Sequence, residues 1–311
     1  MAEISITSEY FCKFDSAARD VLTNAGHTVI DNPYGHQFLS SEEIIPHCKT
    51  ADAFICDLEK INQTVIDSAP NLKIISRRGV GVDSVDVEYA AKKNITVART
   101  LGVVEPPVSE LVLGYILAFS RNIDKHSHEM HNGKWSKIES HSVNEKTLGI
   151  VGMGKIGYEV AKRAYSFGMN IVYSDMYQNE RCENDFQAKK LTFDELLAKA
   201  DFVTVHTPLT EETKGLFGYE TLCKMKRGAF LINTARGAVV EEGGLYKAVT
   251  EEKIAGAAID VFDVEPKENS ILNALPEVIL TPHIGTFTKE IFIKMDLLAA
   301  QNIVEYFKGT V

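Results

Sequence analysis

The segment that most constrains this chain is Leu148-Gly-Ile-Val-Gly-Met-Gly-Lys-Ile-Gly157. An apolar strand at residues 148–151 runs straight into Gly152-Met153-Gly154-Lys155-Ile156-Gly157, and a helical pattern at 156–167 leaves it. A lone G-x-G-x-x-G is weak evidence, but between a strand and a helix it specifies a βαβ unit of a parallel sheet. Gly152 permits the tight turn, Gly154 lets a ligand approach the backbone, and Gly157 lets helix and strand pack closely. The amides of Lys155 and Ile156 open the helix, where the dipole favours an anion such as a pyrophosphate. The next strand, residues 170–174, ends in Asp175, 18 residues past Gly157. That is close to the interval expected for a carboxylate that binds the adenosine ribose hydroxyls and repels a 2′-phosphate. No Arg follows until Arg181, so the expected cofactor is NAD rather than NADP.

Strand-like and helix-like patterns alternate along all 311 residues, with no internal repeat. This is the signature of an α/β protein with parallel sheets, and the length indicates two domains. In the first hundred residues the strands fall at 4–7, 53–56, 73–76 and 95–98, between helical segments such as 15–25 and 86–93. Glu105-Pro106-Pro107 then opens a helix over 108–122, since proline is tolerated in a first turn. That helix is apolar nearly all round, which places it at a buried domain or subunit boundary. A second series has strands at 148–151, 170–174, 202–206, 229–233, 257–261 and 278–281, and an amphipathic helix at 289–308 closes the chain.

The formal net charge of −10 argues against a nucleic-acid partner, which needs a basic face, but not against a small anionic substrate held by a local Arg cluster. Cys12, Cys48, Cys56, Cys182 and Cys223 show no C-x-x-C spacing and an odd count, so reduced thiols in a cytoplasmic protein are expected. Met1-Ala2-Glu3 has no basic n-region, so no signal peptide is expected. The most apolar stretch, 111–120, is short of the roughly 18 residues that a membrane span requires, so no membrane partner is expected. His128-Glu-Met-His131 places its histidines at i, i+3 rather than the i, i+4 of a zinc helix. With His126 it reads as a solvated helix end, and no metal is expected.

Open parallel sheets bind ligands at the carboxyl ends of their strands. In the second series those positions hold Thr207 and Pro208, then Thr234, Ala235 and Arg236, then Asp260 with Glu265 in the following loop, then Pro282 and His283. Alone, Arg236 is an ordinary surface cation, His283 a half-buried histidine and Glu265 a loop carboxylate. Together on three strand-end loops they suit the oxidation of an α-hydroxy acid. Guanidinium matches a carboxylate bidentately, imidazole exchanges the hydroxyl proton, and a carboxylate beside the imidazole fixes its tautomer and favours its protonated form.

Asn233-Thr-Ala-Arg-Gly-Ala-Val-Val-Glu-Glu-Gly-Gly-Leu, Ala258-Ile-Asp-Val-Phe-Asp-Val-Glu-Pro and Thr281-Pro-His-Ile-Gly resemble the signature segments of the D-isomer-specific 2-hydroxyacid dehydrogenases. The resemblance covers nearly the whole chain. Arg77-Arg-Gly-Val-Gly-Val-Asp-Ser-Val-Asp, Asn132-Gly-Lys-Trp and the glycine segment are most similar to the 3-phosphoglycerate branch of that family. The resemblance implies two doubly wound parallel-sheet domains. A flavodoxin-like substrate domain, residues 1–98 plus a helix at 288–311, would receive an inserted Rossmann NAD-binding domain at 99–287. It implies that Arg236 binds the substrate carboxylate, His283 is the acid/base and Glu265 its partner. Asp260 would lie by the nicotinamide, with Thr207, Pro208, Thr234, Ala235 and Gly285 lining the cofactor. His206 becomes a structural or cofactor-lining residue. Amides of Gly79, Val80 and Gly81 would help hold the carboxylate, and the 108–122 helix would form the two-fold interface of a homodimer.

A phosphorylated substrate needs further positive charge. Arg77 matches an Arg that the 3-phosphoglycerate branch places before its glycine loop, with Arg78 beside it and Lys137 after Trp135. Neighbours on an extended segment point opposite ways, so one of the two arginines faces the ligand. Two positions depart from that branch. Cys56-Asp57-Leu58-Glu59 stands where it carries an Arg, and Val80 where it carries a Thr. Loss of one charge-assisted hydrogen bond, about 1.5–3 kcal/mol, weakens phosphate binding roughly ten- to a hundred-fold. With the chain ending at residue 311, no regulatory domain is expected. The expected substrate is 3-phosphoglycerate or a similarly anionic acid. The alternatives are phosphite, glyoxylate or hydroxypyruvate on the same scaffold, and an NAD-sensing corepressor role that the absence of an extended tail disfavours.

Overall fold

The structure is a computed structural model that describes residues 1–35, 38–267 and 269–309. Its first elements are β1 (Glu3–Ile6), α1 (Ala17–Asn24), β2 (Thr28–Ile30), α2 (Ser41–His47), β3 (Ala53–Cys56), α3 (Gln63–Asp67), β4 (Ile74–Arg77), α4 (Val87–Lys92) and β5 (Thr96–Arg99). Helices α5 (Glu105–Arg121) and α6 (Ile123–His131) follow. Next come β6 (Thr147–Val151), α7 (Lys155–Ser166), β7 (Asn170–Ser174), α8 (Glu180–Phe186), β8 (Lys189–Lys190) and α9 (Phe193–Lys199). The chain continues through β9 (Phe202–Val205), α10 (Tyr219–Leu222), β10 (Phe230–Asn233), α11 (Glu242–Thr250), β11 (Gly256–Ile259) and β12 (Val278–Leu280) to α12 (Lys289–Lys308). Two compact units result: residues 1–104 with 287–311, and residues 105–286.

The first unit holds a five-stranded sheet ordered β2-β1-β3-β4-β5, every pair parallel. This is the flavodoxin-type doubly wound order. Parallel strands are covered on both faces, which is why β3 is buried at every position and reads as a continuous apolar run. One face is closed by α12. Its Ala299, Ala300, Ile303 and Val304 pack with Ile4, Ile6, Leu22 and Ile74, and Ser76 Oγ donates to the Ala299 carbonyl at 2.9 Å. Residues 28–30, 41–47 and 63–67 form elements that carry no clear signal in the sequence. β2 is a short edge strand, and α2 contains Pro46 and is started by a Ser40/Glu43 capping box.

The second unit holds a seven-stranded parallel sheet ordered β12-β11-β10-β9-β6-β7-β8. Counted within the unit this is the Rossmann order with one strand added, and its direction of growth reverses between β6 and β9. Helix α5 starts at Glu105, with both prolines in its first turn. Its Val112, Leu113, Tyr115 and Ile116 share a core with Val160, Ala161 and Ala164 of α7 and with Leu148 and Ile150 of β6. Much of its apolar surface is therefore taken up inside its own unit. Helix α6, with His126, His128 and His131, has no buried residue. Among the described residues no helix is long and apolar enough to cross a membrane.

Candidate active site

The glycine loop leaves β6 at the reversal point of the seven-stranded sheet. Gly152 has φ +95°, and a Cβ there would stand 2.8 Å from the His206 carbonyl. A Cβ on Gly157 would stand 2.4 Å from the Gly152 oxygen, so the α7–β6 approach requires glycine. Gly154 differs, because a Cβ on it meets nothing within 4 Å. It is the N-cap of α7 and offers no side-chain cap to the first-turn amides, among them those of Lys155 and Ile156. Asp175 follows β7 and accepts the Met153 amide at 2.7 Å and the Tyr177 amide at 2.9 Å. The carboxylate thus closes the glycine loop, a role the sequence does not announce.

At the ends of β9 and β10, the hydroxyls of Thr207 and Thr234 are buried and have no hydrogen-bond partner among the described residues. Pro208 follows Thr207, and its carbonyl accepts from Thr213 Oγ1 at 2.7 Å. Orphaned hydroxyls beside an open helix N-terminus and a two-amide carboxylate fit a dinucleotide. His206 pairs with Thr204 Oγ1 at 3.0 Å, and burial pushes its imidazole down to about 3, so it is neutral.

Arg236, Glu265 and His283 stand on the loops that follow β10, β11 and β12. Asn233 organises the first turn: its side chain accepts the Ala235 amide at 3.0 Å and donates to the Arg236 carbonyl at 2.9 Å. Arg236 Nη1 donates to the Ala235 carbonyl at 2.5 Å. Glu265 accepts the Phe262 amide on one oxygen at 2.8 Å and meets His283 Nδ1 with the other at 2.7 Å. Burial alone would raise the Glu265 carboxyl, but His283, the Phe262 amide and Arg236 outweigh it and hold it below its ordinary range. The structure thus places Arg236, Glu265 and His283 in one electrostatic group.

His283 has φ +51°, a left-handed conformation disfavoured for any residue with a Cβ. Its amide donates to the Asp260 carbonyl at 2.8 Å. The Asp260 side chain is 1% exposed and accepts Thr281 Oγ1 at 2.5 Å and the amides of Ile284 and Gly285 at 2.8 Å each. Burial raises the Asp260 carboxyl, while these donors and His283 oppose the rise. Asn233, Thr281 and Tyr115, whose hydroxyl lies 2.5 Å from Thr281 Oγ1, complete the site, although their roles are invisible in the sequence. An Asn at a strand end before a turn is the only available signal, and the tyrosine reads as one more apolar helix position.

In the first unit two expectations are corrected. Arg78 is not available to a ligand: its side chain is 0% exposed, held between Asp57 and Asp296 and stacked over the Phe292 ring at 4.9 Å. Gly79, at φ +137°, donates its amide to Thr100 Oγ1 at 2.7 Å, so that amide cannot hold a carboxylate. The amides of Val80 and Gly81 are without partners among the described residues. Arg77 lies 3.9 Å from Asp57 and donates to the Arg78 carbonyl, while its Nε is buried without a partner. Glu59 is fully buried and accepts the Asp57 amide at 2.5 Å. Burial, reinforced by Asp57, pushes its carboxyl up to about 8. In the second unit, Lys137 is exposed on the coil after α6 and forms no hydrogen bond or ion pair among the described residues.

The family model for the NAD-binding domain of D-isomer specific 2-hydroxyacid dehydrogenases matches residues 113–285. A glyoxylate reductase of Thermofilum pendens is 42% identical over 279 residues, 87% of this chain and 82% of that one. A hydroxypyruvate reductase of Thermotoga maritima is 36% identical over 282 residues, covering 89% and 90%. A D-3-phosphoglycerate dehydrogenase of Methanocaldococcus jannaschii is 38% identical over 87% of this chain, which spans only 52% of that relative. The TT0316 protein from Thermus thermophilus superposes with a TM-score of 0.89 at 35% identity, covering 99% of this chain and 97% of that one. The chain belongs to the D-isomer-specific 2-hydroxyacid dehydrogenases, NAD-dependent oxidoreductases that act on the hydroxyl group of 2-hydroxy acids.

Proposed function

We propose that this enzyme interconverts a small unphosphorylated 2-keto acid, such as glyoxylate or hydroxypyruvate, and the corresponding 2-hydroxy acid. The observation that carries the proposal is the 2.7 Å His283–Glu265 pair acting beside Arg236 at the strand ends of the NAD-binding unit. NADH, when bound, supplies the hydride that reaches C2. Arg236 holds the substrate carboxylate as a bidentate partner and orients C2. Glu265 occupies Nδ1 of His283, which leaves Nε2 to give a proton to the C2 oxygen in reduction and to take it back in oxidation. Asp260 and Gly285 keep the His283 loop in place beside the cofactor. Thr207, Pro208, Thr234 and Ala235 line the dinucleotide, Gly154 and the first-turn amides of Lys155 and Ile156 receive its pyrophosphate, and Asp175 its ribose. In the first unit, taken by itself, Arg77 and the amides of Val80 and Gly81 are the groups suited to bind an anion.

Two features support a short tail. Asp57 and Asp296 neutralise Arg78, and Asp57 also lies near Arg77, where a phosphate needs free cations. A second reading, 3-phosphoglycerate, is favoured by the unpartnered Nε of Arg77. The absorbance of NADH separates them on a panel of glyoxylate, hydroxypyruvate, 3-phosphoglycerate and phosphite. Turnover of the two keto acids is expected, and activity confined to 3-phosphoglycerate or to phosphite overturns the first reading. We further propose a cytoplasmic homodimer. All five cysteines are unpaired, and Leu111, Leu117 and Phe119 leave the open side of α5 partly exposed. A monomer in sedimentation refutes the dimer.

A further inference from the structure

We infer that Tyr115, on α5, is a positioning residue for catalysis: through Thr281 and Asp260 it anchors the loop that carries His283. The inference rests on the acid/base role proposed above for His283. The hydroxyl of Tyr115 lies 2.5 Å from Thr281 Oγ1, which lies 2.5 Å from Asp260 Oδ1. An ionised carboxylate only accepts, so Thr281 donates to Asp260 and Tyr115 donates to Thr281. The direction of both hydrogen bonds is thereby set, and aligned bonds in a dry interior strengthen one another. Tyr115 is 4% exposed, so little water competes.

What this chain of bonds restrains is the catalytic loop. The Asp260 carboxylate also binds the amides of Ile284 and Gly285, and its carbonyl binds the amide of His283. Gly285 packs closely on this carboxylate, since a Cβ there would stand 3.2 Å from Asp260 Oδ2 and push it aside by a few tenths of an ångström. His283 is left-handed, a conformation that persists only where its surroundings enforce it. In that conformation its Nδ1 meets Glu265. The titratable and charged groups facing His283 are Glu265, Asp260 and, through Glu265, Arg236; α5 contributes the Tyr115 hydroxyl. Without the Tyr115 hydroxyl, Thr281 is held by Asp260 alone, the loop loosens, and His283 draws away from Glu265. The imidazole then loses the partner that fixes its tautomer and orientation, so proton transfer to the C2 oxygen slows.

The test compares Tyr115→Phe, Thr281→Val and Thr281→Ser with the parent enzyme, using NADH and glyoxylate. Tyr115→Phe and Thr281→Val should lower kcat about five- to tenfold, the worth of one hydrogen bond. They should change the KM for NADH less than about twofold. Thr281→Ser keeps the hydroxyl and should recover most of the kcat lost in Thr281→Val. Isotope-labelled histidine, with the His283 signal assigned through His283→Ala, follows the imidazole without turnover, and that signal should shift in Tyr115→Phe. A parent-like kcat with an unmoved His283 signal in both Tyr115→Phe and Thr281→Val overturns the inference. So does a loss confined to thermal stability or to the KM for NADH. Should Tyr115→Phe fail to fold, Thr281→Val decides the matter alone. Full turnover by His283→Ala sinks the acid/base reading instead, whatever Tyr115→Phe does.

Discussion

His283 is fixed from two sides, its ring by Glu265 and its backbone by Asp260. His283→Ala removes the ring and leaves the glycine loop untouched. We expect kcat to fall at least about 100-fold with the dissociation constant of NAD nearly unchanged in a fluorescence titration. A large loss of NAD binding would contradict the assigned role. Arg78 makes the opposite kind of contribution. Arg78→Met leaves Asp57 and Asp296 without their counter-charge, which costs about 3–5 kcal/mol of stability in urea unfolding. A cost under about 1 kcal/mol would show that the two carboxylates find other partners. Arg236, Glu265 and His283 are legible in the sequence because each follows a strong strand pattern, and strand ends carry ligands in parallel sheets. Arg78 is not legible. Which of two adjacent arginines turns inward depends on where β4 ends and on an aspartate 218 residues away. The amide of Gly79 is likewise lost to Thr100, a contact between two strand ends that no local pattern encodes.

Helix α7 and strand β6 meet through glycine, and the two inner glycines have different tasks. Gly157→Ala forces a Cβ to within 2.4 Å of the Gly152 carbonyl, so it should destabilise the unit by about 1–3 kcal/mol in thermal unfolding without cofactor. Gly154→Ala meets nothing within 4 Å. It should leave the cofactor-free melting temperature unchanged and weaken NAD binding, because the methyl enters the space assigned to the pyrophosphate. Equal stability losses in both variants would remove the distinction. The strands with continuous apolar runs, β3, β7 and β9, are readable because a parallel strand is covered on both faces. β2 and β8 are two to three residues long with exposed or half-exposed side chains, and they show no such run. The burial of α5 is readable from its composition, but its main partner, α7, emerges only from the packing.

Glu59 links the molecule to pH. Its carboxyl is pushed up to about 8 by burial and by Asp57, so the folded chain holds a proton that the unfolded chain releases near 4.5. For a raised acid the stabilising contribution is complete below the unfolded value and is lost as pH rises through the folded one. Stability should therefore decline from mildly acidic pH toward about 8, and Glu59→Gln should flatten that decline in urea midpoints measured across the range. Parallel curves for the two proteins would assign the decline to other groups. The closing of the first sheet by α12 has a different consequence, one of timing. Residues 105–286 are contiguous and emerge from the ribosome as a complete unit, whereas the core around Ile4, Leu22 and Ile74 lacks one wall until residues 299–304 have been made. Residues 1–104 thus finish folding after the unit that follows them, and during synthesis their apolar sheet face depends on whatever shelters it until α12 arrives.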